Sequence, residues 1–133
     1  MDSSKPVVRA SWPPPAGHSG MYDGTGPIVV ELHGDIDLAC AVRLRTWLDS
    51  VGALRAPAYV IDLRAVSFVD STGLNLLVRF RRRALTRKAT VGVLCRSETL
   101  RLVRAHGTED VLRPVTTFDE AVAQVRRSVG ERS

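Results

Sequence analysis

The stretch from Tyr59 to Gly73 constrains this chain more than any other. Tyr59-Val60-Ile61-Asp62-Leu63 is a short, nearly continuous apolar run rich in β-branched residues, the pattern of a strand buried on both faces. Val66 to Val69 leads on into Asp70-Ser71-Thr72-Gly73, after which Leu76, Leu77, Phe80 and Ala84 mark one face of a helix reaching about Arg87. A buried strand feeding directly into an amphipathic helix requires a layered architecture, because neither element can cover itself.

The same alternation extends to both sides. Ile28, Val30 and Leu32 repeat at period two and Gly34-Asp35 closes the run, which predicts a strand. Leu44, Trp47, Leu48, Val51 and Leu54 recur at helical spacing, predicting a helix over about 39–55 that Pro57 prevents from extending. Thr90 to Cys95 reads as a strand, Leu100, Leu102 and Val103 as a short helix, and Pro114-Val115 as a brief final strand. In a closing helix Phe118, Ala121, Val122 and Val125 share a face, and Thr117 stands three residues before Glu120 as a capping box. Strands and helices joined by short links predict an α/β domain with a largely parallel or mixed sheet.

The 133 residues suffice for one core, and an apolar fraction of 44% with 25% charged residues is ordinary for a globular domain. Residues 1–26, with Pro13-Pro14-Pro15 and Gly24-Thr25-Gly26, read as a flexible lead that leaves room for one short edge strand at 7–12; the domain proper spans 27–129, and 130–133 form a tail. No run approaches the roughly 18 apolar residues of a membrane span, and the first residues lack an apolar signal core, so a cytoplasmic protein with no membrane partner is expected. Cys40 and Cys95 suggest neither a disulfide framework nor, with His18, His33 and His106, a metal site. Nothing calls for a cofactor, and Gly24-Thr25-Gly26 is too short for a phosphate loop.

A helix start preceded by Asp-Ser is a natural place for an anion. Ser71 is expected at the N-cap, where unpaired N–H groups and the positive end of the helix dipole favour negative charge. Thr72 is a second hydroxyl there, read as a first-turn structural residue. Asp35 and Asp37 read as turn and cap residues rather than a metal pair, since no third ligand accompanies them. Arg79 to Lys88 carries six basic residues. It reads as a solvated helix face that steers an acidic partner, and not as a nucleic-acid surface, because Phe80 points inward and no aromatic interleaves it for base stacking.

The segment Val60-Ile61-Asp62-Leu63-Arg64-Ala65-Val66-Ser67-Phe68-Val69-Asp70-Ser71-Thr72-Gly73-Leu74 resembles the signature of STAS domains of the anti-sigma-factor antagonist family. Leu32-His33-Gly34-Asp35-Ile36-Asp37-Leu38-Ala39 is similar to that family's turn after its second strand, and Phe118-Asp119-Glu120-Ala121 to the start of its last helix. A long Pro/Gly loop stands where the family has a tight hairpin, and Cys40 where it usually has Thr. The resemblance implies a mixed sheet of four to five strands alternating with about four helices. It also implies a non-enzymatic transcription regulator that switches partners. Ser71 is then the phosphoacceptor for an anti-sigma factor that is itself a serine kinase, and a serine phosphatase reverses the mark. Asp70 and Asp35 would crowd the phosphoserine with negative charge, Gly73 would let the kinase backbone approach, and Leu74 would offer an apolar contact. The same fold with an unmodified Ser71 would be a scaffold subunit of a signalling or transport complex. A hydrolase using Ser71 as nucleophile is disfavoured, since no Gly-x-Ser-x-Gly elbow is present.

Overall fold

The computed structural model describes residues 8–14, 22 and 26–132, with side chains as far as residue 126. Most of the Pro/Gly-rich lead expected over 1–26, together with His18 and Gly24-Thr25, lies outside these residues. Strands β1 (Val8–Trp12), β2 (Ile28–Ile36), β3 (Ala58–Val69) and β4 (Thr90–Leu94) form one sheet in that order, and helices α1 (Ala41–Gly52), α2 (Ser71–Thr86), α3 (Ser97–His106), α4 (Glu109–Leu112) and α5 (Phe118–Arg132) surround it. All three strand pairings are parallel. The connection between β1 and β2, residues 13–27, is long enough for a crossover, whereas a two-residue hairpin would force an antiparallel pair.

Period two decides which face each strand residue covers. Ile28, Val30 and Leu32 of β2 join Ile61 and Leu63 of β3 beneath Leu44, Leu48 and Val51 of α1 and Leu77, Phe80 and Ala84 of α2. On the opposite face Val29, Val60 and Leu94 pack against Ala121, Phe118 and Val125 of α5. Buried Tyr59 joins the layers: its hydroxyl donates to the Val51 carbonyl at 3.1 Å and accepts from the Ala56 N–H at 3.1 Å, while its ring meets Phe80 edge-on at 5.1 Å.

The elements differ from the sequence reading mainly at their ends. Helix α1 stops at Gly52, and a 3-10 turn at Leu38–Cys40 precedes it, so Leu54 lies beyond the helix and is exposed. Val115 forms a single parallel bridge to Leu94 rather than a strand. Helix α4 has too few residues to show a helical period. Helix α5 runs on through residues 130–132, which the sequence places in a tail. Half of its capping box is made: Thr117 Oγ1 accepts from the Glu120 N–H at 3.2 Å, while the Glu120 carboxylate accepts from the Thr117 hydroxyl at 2.8 Å rather than from the Thr117 N–H. Among the described residues, no helix is long and apolar enough to cross a membrane.

One carboxylate lies buried in the sheet. Asp62 accepts from Arg64 Nη2 at 2.9 Å, Arg64 Nε at 3.1 Å and the Arg64 N–H at 3.0 Å. Burial pushes the Asp62 carboxyl up, but the Arg64 side-chain and backbone hydrogen bonds outweigh it and hold the group below the ordinary carboxylate range. With the native value depressed, the stabilisation is present above the unfolded value of 3.8 and is lost as pH falls through the native one. Asp62→Asn should therefore flatten the acid limb of a stability-against-pH curve below about pH 4. A limb as steep as the parent's, measured by circular dichroism, would show that Asp62 carries none of it.

Candidate functional site

The ends of β2 and β3 lie side by side, Ile36 opposite Val69, with β3 carrying an extra residue at each of two register shifts. At the second shift Gly34 takes φ +81°, a left-handed conformation in which a side chain is strained, and the strand continues past this irregularity with Asp35 exposed opposite Phe68. The Asp70 N–H then donates to the Ile36 carbonyl at 3.1 Å, joining the end of β2 to the start of α2.

Asp70 is the hub of the site. Its backbone is extended (φ −100°, ψ −177°) and its carbonyl accepts the first helical bond, from the Leu74 N–H at 3.0 Å. One carboxylate oxygen accepts from the Gly73 N–H at 2.9 Å and the other from the Leu38 N–H at 3.1 Å, 32 residues away. Asp70 is therefore the N-cap, which corrects the expectation that Ser71 caps the helix. A carboxylate with two oxygens can cap the helix and also hold the 3-10 turn that begins at Leu38, whereas a serine hydroxyl in that place would serve the helix alone. Asp70→Ala removes both bonds and should lower stability by about 1–2 kcal/mol, and Asp70→Asn, which retains one acceptor oxygen, by less. Urea midpoints at unchanged slope would measure this, and equal losses for the two variants would deny the double role.

With the cap supplied by Asp70, Ser71 occupies the first helical position, exposed, and its hydroxyl has no hydrogen-bond partner among the described residues. Thr72 is half-buried. The next two residues depart from expectation. Leu74 is only 2% exposed and belongs to the core, so it offers nothing to a partner. Gly73 is buried as well: a Cβ there would stand 2.7 Å from the Ile36 carbonyl oxygen and 2.8 Å from a methyl of Ile36 and one of Val69. Its missing side chain lets α2 cross the strand ends; it does not open a path for another protein.

Exposed apolar residues that the sequence does not single out lie at the end of β3, in the 3-10 turn and at the start of α1. Leu38, Val42 and Phe68 are 73%, 79% and 49% exposed, unusual values for large apolar side chains. Leu38 and Val42 stand four apart and off the Leu44, Leu48, Val51 stripe, the one signal that could have found them. A groove between Trp12, Pro14, His33, Asp35 and Arg43 opens beside the same turn. The Cys40 thiol sits against the Asp37 and Asp35 carbonyls at 3.4 and 3.7 Å, and buried Cys95 has its thiol pushed up to about 11 by burial. The basic face of α2 is partly structural. Arg79 holds Asp49 of α1 at 2.5 Å with Arg83 at 3.5 Å, and Arg87 donates to the Gly52 carbonyl at 2.6 Å. The hydrogen bond from Arg79, ahead of opposing burial, keeps the Asp49 carboxyl low.

The chain is similar to known proteins in sequence and in fold. The family model of the STAS domain matches residues 21–124. The anti-sigma-F factor antagonist RsfB of Mycobacterium tuberculosis is 33% identical over 105 residues, 78% of this chain and 85% of that protein. A crystal structure of an anti-sigma factor antagonist from Mycobacterium paratuberculosis superposes with a TM-score of 0.68 at 32% identity, covering 80% of this chain and 90% of the other. The Bacillus cell fate determinant SpoIIAA in its phosphorylated form has the same fold, with a TM-score of 0.54 at 21% identity over 81% of this chain and 96% of that one. A match over most of the chain, on a βα unit whose cap, glycine and exposed serine fit together as described, places the protein by descent: the chain belongs to the STAS domain family.

Proposed function

We propose that this protein is an anti-sigma factor antagonist switched at Ser71. In its unmodified form it binds an anti-sigma factor that is also a serine kinase, and so releases the sigma factor; phosphorylation of Ser71 ends the complex, and a serine phosphatase restores it. The chain itself catalyses nothing and needs no cofactor, since the kinase carries out the transfer and Ser71 supplies only the accepting hydroxyl. It works in the cytoplasm beside the transcription machinery, without contacting nucleic acid or membrane.

The observation that carries this reading is the exposed, unbonded Ser71 hydroxyl at the first turn of a helix capped by its neighbour. Because Asp70 performs the structural task, Ser71 is free to be modified, and a phosphate there meets the positive end of α2 rather than the core. The added charge of about −2 falls beside Asp70 and Asp35 and amid exposed Leu38, Val42 and Phe68, the surface a partner would cover. The names of the two mycobacterial relatives support the anti-sigma factor as that partner.

Incubation with the cognate anti-sigma factor and ATP, followed by peptide mass mapping, tests the proposal. One phosphate on Ser71, absent in Ser71→Ala, is the expected result. Stable complex formation with no phosphate gained would favour the unmodified scaffold instead. Phosphate on Thr72 alone would transfer the switch to the neighbouring hydroxyl.

A further inference from the structure

The positive charge of this chain is collected on two helices. The whole chain has 19 Lys and Arg against 14 Asp and Glu. Residues 41–55 and 71–88, which hold α1 and α2, carry nine of the basic residues and a single carboxylate, Asp49, which leaves ten basic and thirteen acidic residues elsewhere. The two helices pack side by side over one face of the sheet, so the excess falls on one surface rather than being spread around the domain.

Contacts along the seam between the helices join these charges. Arg79 of α2 donates to Asp49 of α1 at 2.5 Å, and Arg83, one turn on, reaches the same carboxylate at 3.5 Å. Arg83 and Arg87 line one crevice with Asp49 and Gly52. Arg87, set on the Gly52 carbonyl, then lines a neighbouring cavity of about 170 Å³ together with Arg55. Arg55 is exposed and takes φ +55°, in the left-handed region that favours glycine. Arg79, Arg83 and Arg87 recur every four residues and so stand about 6 Å apart along the helix. One carboxylate serves the whole row, and like charges one turn apart repel until a counter-charge arrives.

The kind of anion follows from what else this surface offers. Phe80 is buried against Tyr59, and Trp47 packs on Trp12 of β1, so the row presents no ring on which a base could stack. None of the exposed large apolar residues lies on α2, which therefore lacks the apolar face that enters a membrane surface. What the row matches is carboxylates repeated at its own pitch: Glu or Asp one helical turn apart, about 6 Å, or on alternate residues of an extended chain, about 7 Å. We propose that this seam, with Arg79, Arg83, Arg87 and Arg55 along it, is a docking surface for an acidic segment of another protein. It stands apart from the Ser71 reading, since Arg79 lies eight residues, about 12 Å, from Ser71 along α2 and Arg87 about twice as far.

The test is fluorescence anisotropy of a labelled short polyglutamate peptide with the full chain at low, fixed ionic strength. The parent protein should bind it. Arg83→Gln and Arg87→Gln should each weaken binding by about threefold or more, as the loss of one exposed charge pair does. Arg101→Gln, which removes an exposed charge on α3, should bind as the parent does. Asp49→Asn should tighten binding by about threefold, because it releases Arg79 and Arg83, whereas Asp119→Asn, the same change of net charge on α5, should leave it unchanged. No binding by the parent, or unchanged binding in Arg83→Gln, overturns the proposal. An equal loss in Arg101→Gln overturns it as well, because net charge alone would then explain the affinity. Tighter binding of an oligothymidylate, or of phosphatidylglycerol vesicles, than of polyglutamate overturns the assignment to a protein segment. Should Arg87→Gln fail to fold for want of the Gly52 contact, Arg83→Gln and Asp49→Asn decide. Ser71→Asp should bind polyglutamate as the parent does, so the failure of a switch at Ser71 leaves this result standing.

Discussion

Phosphorylation of Ser71 should weaken the complex with the anti-sigma factor by about a hundredfold or more, because like charge and uncompensated desolvation at a protein interface cost several kcal/mol. The isolated protein should barely notice the change. The hydroxyl is exposed and carries no hydrogen bond, and the new dianion lies at the favourable end of α2, so the urea midpoint should move by less than about 1 kcal/mol equivalent. Ser71→Ala should bind as the unmodified protein does and stay bound in the presence of ATP. Ser71→Asp should fall between the two, since a single carboxylate supplies less charge and fewer acceptor oxygens than phosphate. Calorimetry on the four species decides the matter. Equal affinities for the phosphorylated and unmodified proteins would sink the switch, and a large loss of fold stability on phosphorylation would replace it with simple unfolding.

Gly73→Ala should be the most damaging small change in the site, lowering stability by about 2 kcal/mol or more. Alanine favours a helix over glycine by about 1 kcal/mol, so an unconstrained position would gain stability instead. Here the new methyl would meet the Ile36 carbonyl oxygen at 2.7 Å and methyls at 2.8 Å, and a backbone carbonyl that also accepts from the Asp70 N–H cannot simply step aside. Relief requires α2 to lift from the ends of β2 and β3, which breaks the Asp70 link to Leu38. A neutral or stabilising effect in denaturant unfolding would show that the helix start has room to move. Partner binding should drop along with stability in this variant.

Much of the site is legible in the amino-acid sequence. The apolar run into Asp70-Ser71-Thr72-Gly73 shows a strand entering a helix, because both periods are properties of neighbours along the chain. The roles within the motif are harder to read. Ser71 and Asp70 are both good caps by residue type, and only the Leu38 N–H, brought up by the 3-10 turn after β2, makes the two-oxygen side chain the better one. Adjacency to Ser71 suggests a surface position for Leu74, but a helix turns by about 100° per residue and carries it into the core.

The order of residues along the chain is enough for the local features: the alternation of strands and helices, the Thr117–Glu120 box, and a hydroxyl waiting at a helix start. Those features depend on residues a few positions apart, whose spacing is unchanged by the rest of the fold. Packing in three dimensions governs what depends on residues far apart in the chain: the parallel pairing of β1 with β2, the sharing of Asp70 between a helix and a distant turn, and the contact that forbids a side chain at Gly73. Each of these is settled by which surfaces come together when the two apolar faces of the sheet are buried.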